Sequence, residues 1–111
     1  MLIYLVSAAT NNCELENKLY KTFNNSLGYI YNRLQSISLE LEKNCDFFDR
    51  DYIQNYFTEE YFKRFNNVNC RSVYGEFIIK KINNNKYQFV FIPVNNDEFF
   101  VYELETLELL D

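Results

Sequence analysis

The chain has no histidine and no tryptophan, and only two glycines, one proline and one methionine in 111 residues. Each shortage excludes something. Without histidine there is neither the side chain that moves protons near neutral pH nor the commonest metal ligand. Gly28 and Gly75 stand alone, so no glycine-rich phosphate loop can form. The cysteines are Cys13, Cys45 and Cys70, an odd number at spacings that match no zinc or redox motif. A cysteine nucleophile needs a cationic neighbour, usually histidine, to reach the thiolate, so all three read as small buried hydrophobes of a reducing compartment. No run approaches the length of a membrane-spanning helix. The start, Met1–Ala9, has no basic segment and only a short apolar run, which speaks for a first strand of a cytoplasmic protein rather than a signal peptide.

What is abundant is aromatic side chain. Ten tyrosines and eleven phenylalanines make 19% of the residues, against an ordinary 48% hydrophobic. Disordered chains are poor in aromatics, so a packed core is expected. The length fits one domain, residues 1–111, with no linker and no internal repeat.

The formal net charge is -5, and it is unevenly placed. Residues 46–60 carry five acids against Arg50, residues 61–86 six bases against Glu76, and residues 87–111 six acids and no base. An acidic total disfavours direct nucleic-acid binding and favours attraction to a basic partner.

The pattern predicts an α+β fold. Leu2–Ala8 suits a covered strand. Leu15, Leu19, Phe23, Leu27, Ile30, Leu34, Ile37 and Leu41 recur at three and four, which places them on one face of a long amphipathic helix. Extended over 13–43, with Asn11 as its cap and Glu14 paired to Lys18, such a helix would be about 45 Å long. It would bend near Gly28, where another element could approach closely. Asp49 and Thr58 could cap two short helices through Tyr56 and Phe65. A C-terminal antiparallel β-meander of three to four strands follows, over 72–82, 86–92 and 98–104, with 106–110 a short extra strand or an ordered tail. Asn83-Asn84-Asn85 makes its first turn, and Tyr87, Phe89 and Phe91 share one face of its second strand.

The order of a long helix, the phrase Tyr56-Phe57-Thr58-Glu59-Glu60-Tyr61 and a meander resembles the NTF2-like cone fold, over about two-thirds of the chain. The resemblance implies a concave, aromatic-lined sheet and a small-molecule-binding module. An N-terminal strand precedes the helix here, and the aspartate–histidine pair of that family's enzymes has no counterpart, so no catalytic residue carries over.

No catalytic, cofactor-binding or metal-binding residues are assigned. The acid pairs Asp49/Asp51, Glu59/Glu60 and Asp97/Glu98 sit in capping or turn contexts, and a calcium loop at Asp46, Asp49 and Asp51 would lack its glycine and terminal glutamate. Lys80, Lys81 and Lys86 with Tyr87 and Phe89 could form a base-stacking hairpin. Against that stands the acidic total, which reads them as a solvated hairpin with a basic edge.

The remaining reading is protein binding. Tyr52, Tyr56 and Tyr61 beside Asp46, Asp49 and Asp51, with Asp97, Glu98, Glu103, Glu105 and Glu108, would suit a basic protein partner. That describes a non-enzymatic immunity or antitoxin-type inhibitor of a basic toxin or nuclease. A phage-encoded inhibitor of a host defence nuclease would look the same. The alternative is the NTF2-like ligand-binding module, with a pocket lined by Phe77, Phe89, Phe91 and Phe99. No cofactor and no membrane partner are called for, and a homodimer is left open.

Overall fold

The computed structural model describes residues 1–10, 17–41, 67–72, 75–93 and 98–109. In chain order the elements are β1 (Leu2–Ala8), β2 (Lys18–Tyr20), α1 (Phe23–Leu41), β3 (Asn67–Ser72), β4 (Gly75–Asn83), β5 (Lys86–Pro93) and β6 (Phe100–Glu108). This is an α+β protein: one helix packed on one face of an antiparallel sheet. The two expected short helices lie outside the described residues.

Alternation along the strands builds the core. Tyr87, Phe89 and Phe91 of β5 point to the helix side together with Phe77 and Ile79 of β4 and Phe100, Tyr102 and Leu104 of β6. From β1, Val6 joins them, with Tyr4 and Ala8 packed at the margin. Helix α1 closes the layer with Phe23, Leu27, Ile30, Leu34 and Ile37, all buried, and packs against β1, β2 and β5. Burying each such side chain stabilises the fold by about 1.5–3 kcal/mol. Edge-on ring contacts fasten the N-terminal end of the helix, where Phe23 lies 5.5 Å from Tyr4 and 5.9 Å from Tyr87.

The sheet has six strands in the order β2-β1-β6-β5-β4-β3, every neighbour antiparallel. The two ends of the chain thus meet in its middle. Leu2 pairs with Glu108 and Ala8 with Tyr102, and one further pair extends the ladder: the Leu109 N–H donates to the Met1 carbonyl at 2.8 Å. The β4–β5 turn is made as expected at Asn83-Asn84-Asn85, where the Asn85 N–H donates to Asn83 Oδ1 at 2.8 Å.

Three expectations are corrected. The helix does not run from Cys13: Lys18–Tyr20 is a strand, paired with Tyr4–Val6, and the helix starts at Phe23. Lysine and leucine accept a helix readily, but three residues gain more here by satisfying the outer edge of β1. Thr22 supplies the cap, its Oγ1 accepting the Asn25 N–H at 3.2 Å. Leu19 therefore leaves the buried stripe and stands 63% exposed, and Lys18 sits over the Tyr29 ring instead of one turn beyond Glu14.

Gly28 lies inside the helix, and a Cβ there would meet nothing within 4 Å, so no element approaches it closely. Finally, the sheet begins before residue 72: Asn67 opens β3, which pairs with β4 from Asn67↔Lys80 to Ser72↔Gly75. The extra strand makes the C-terminal meander four-stranded, and β6 runs unbroken to Glu108 rather than yielding a separate strand after 104.

Candidate functional site

The helix covers one face of the sheet; on the other, Val90 and Val101, paired across β5 and β6, are nonetheless buried, and exposed apolar side chains gather toward β1 and β2. Period-two alternation sends Ile3, Leu5 and Ser7 of β1, Leu19 of β2, and Val101, Glu103, Glu105 and Leu107 of β6 to that face. Met1 and Leu109, the pair that extends the ladder, stand on the same side. At the β2–β1–β6 end the result is a contiguous apolar patch. Its exposed members are Met1 at 67%, Leu19 at 63% and Leu109 at 46%, and Ile3, Leu5 and Leu107 are half-buried between them. Two strands of about seven residues and the three-residue β2, about 4.8 Å apart, give this end of the face roughly 270 Å², its polar positions included. Singly scattered apolar residues are ordinary on a surface; this patch is contiguous, though no larger than the ~300–600 Å² patch that a typical monomer carries.

Charge borders the patch on its β5 side. Leu5 lies opposite Glu105, and Glu105 opposite Lys86, so an apolar–acid–base row crosses the strands. Lys86 Nζ contacts Glu103 at 2.6 Å. The hydrogen bond that Lys86 donates to Glu103, and the charges of Glu103 and Glu105, raise the lysine pKa above its usual value. Further across the same face, Asn69 Nδ2 donates to Glu76 Oε1 at 2.7 Å.

On the helix side a second cluster gathers at the β2 margin. The Tyr20 and Tyr29 rings lie 5.9 Å apart, and Lys18 Nζ stands 4.4 Å from the Tyr29 centroid. Burial, and then the neighbouring Tyr29, raise the Tyr20 pKa. With Tyr4 and Tyr31, these are half-buried tyrosines with polar tips near the surface. Sequence reasoning sought such residues at Tyr52, Tyr56 and Tyr61 instead. The spacing of Tyr20, Tyr29 and Tyr31 carried no signal while residues 18–20 were read as helix.

Of the sequence-derived partner-binding residues, Asp46, Asp49, Asp51, Tyr52, Tyr56, Tyr61 and Asp97 lie outside the described residues. The other four are not gathered into one patch. Glu103 and Glu105 share the helix-free face, and Glu103 is engaged by Lys86. Glu108 alternates to the opposite side, across from Leu2, and the exposed Glu98 precedes β6 at its far end.

Tyr87 and Phe89 are buried in the core and offer no ring to a base, which speaks, with the acidic total, against the base-stacking alternative for this hairpin. Phe77, Phe89 and Phe91 do cluster, but Phe99 is 52% exposed, so the four do not line one cavity. Among the described residues no group of three histidine, cysteine or acidic side chains is placed to hold a metal ion, and no helix is long and apolar enough to cross a membrane. No family model, curated protein or solved structure matches the chain.

Proposed function

We propose that the protein acts in the cytoplasm by binding another protein rather than by catalysis, as a small acidic inhibitor of the immunity or antitoxin type. Its partner is a basic toxin or nuclease, blocked by steric and electrostatic occlusion. The observation that carries this reading is the acid-bearing C-terminal strand. Glu105 is half-exposed and Glu98 and Glu108 are exposed, within a stretch, 87–111, that holds six acids and no base. Opposite signs across an interface accelerate encounter and make it salt-sensitive. The half-buried tyrosines at Tyr20, Tyr29 and Tyr31 supply amphipathic anchors of the kind that dominate interfaces. An inhibitor of a host defence nuclease would present the same surface. The small-molecule-binding alternative has less support, since one of its four lining residues faces water.

The test is kinetic. After the partner is recovered by cross-linking from the native host and purified, association is followed by stopped flow at several salt concentrations. Reversing Glu105 and Glu108 to lysine should slow association about tenfold at low salt and flatten its salt dependence. Unchanged association of the doubly reversed protein would remove the electrostatic role, and turnover of a small molecule by the purified chain would remove the reading altogether.

A further inference from the structure

We draw no further inference here: the strongest candidate, the apolar end of the helix-free sheet face around Met1, Leu19 and Leu109, carries none, because nothing in the structure shows what covers it.

Discussion

Replacing the two glycines by alanine should move stability in opposite directions. Gly28 sits within α1, its φ is not positive, and an added Cβ meets nothing within 4 Å. The substitution then acts through backbone entropy, worth about 0.5–1 kcal/mol in favour of alanine in a helix interior. Unfolding entropy near the melting point is about 2.1 cal/mol/K per residue, hence about 0.23 kcal/mol/K for this chain. Gly28→Ala should therefore raise the melting temperature by about 2–4 °C. At Gly75 the φ is 151°, and a Cβ would lie 2.5 Å from the Ile92 carbonyl oxygen and 3.0 Å from Pro93 Cα. Both obstacles are backbone, in the strand that pairs Gly75 with Pro93, so neither can rotate away. Relieving the overlap means displacing the β4–β5 ladder, at about 2 kcal/mol or more including the conformational strain. Gly75→Ala should lower the melting temperature by about 9 °C or more. Thermal unfolding followed at 222 nm, with urea midpoints as a check on slope, measures both. A destabilised Gly28→Ala would mean that another element packs on that side of the helix, and an unaffected Gly75→Ala would refute the tight β4–β5 approach.

Three further expectations follow from the packing and the titrations. Leu34 is fully buried and Leu19 is 63% exposed. Leu34→Ala should thus cost about 2–5 kcal/mol in urea unfolding while Leu19→Ala stays within about 0.5 kcal/mol, whereas a helix beginning at Cys13 would make both costly. Thr22→Ala should lose about 1 kcal/mol and fray the first turn, read as faster amide exchange at Asn25; unchanged exchange there would refute the cap. Lys86, Tyr20 and Tyr87 all have raised pKa values when folded, Lys86 through Glu103 and the tyrosines mainly through burial. The folded state then holds more protons than the unfolded one as pH climbs through the unfolded values, so stability should fall above pH about 10. Urea midpoints from pH 8 to 11 check this, and Tyr87→Phe should shallow the decline; a midpoint that rises over that interval would contradict the assigned directions.

Much of the interior was legible because it is local. From Phe23 onward the three-and-four spacing marks the buried stripe, and Phe23, Leu27, Ile30, Leu34 and Ile37 all occupy it. Strand β5 was legible down to its faces, since the turn at Asn83–Asn85 and the alternation of Tyr87, Phe89 and Phe91 need only neighbours in sequence. The same spacing misled upstream. Leu15 and Leu19 keep the phase of the stripe, yet a three-residue strand there completes the edge of β1, a demand that no local window contains. The site was legible only in part. The acids of 98–108 were identifiable by type, but their scatter over two faces and the capture of Glu103 by Lys86 depend on register. The apolar patch was not foreseen, because its members come from three strands separated by most of the chain.

Composition alone determined that this protein has no histidine chemistry and no glycine-rich phosphate loop, and periodicity alone determined an amphipathic helix and an alternating C-terminal sheet. Tertiary structure decided which strands are neighbours and which face the helix covers. In β5 both faces are apolar, Phe89 and Phe91 on one side, Val90 and Ile92 on the other, so alternation names two faces without ranking them. Ranking them takes the pairing of β1 with β6, which joins the two ends of the chain. That pairing is selected by the burial it completes in space and leaves no trace in any short stretch of residues.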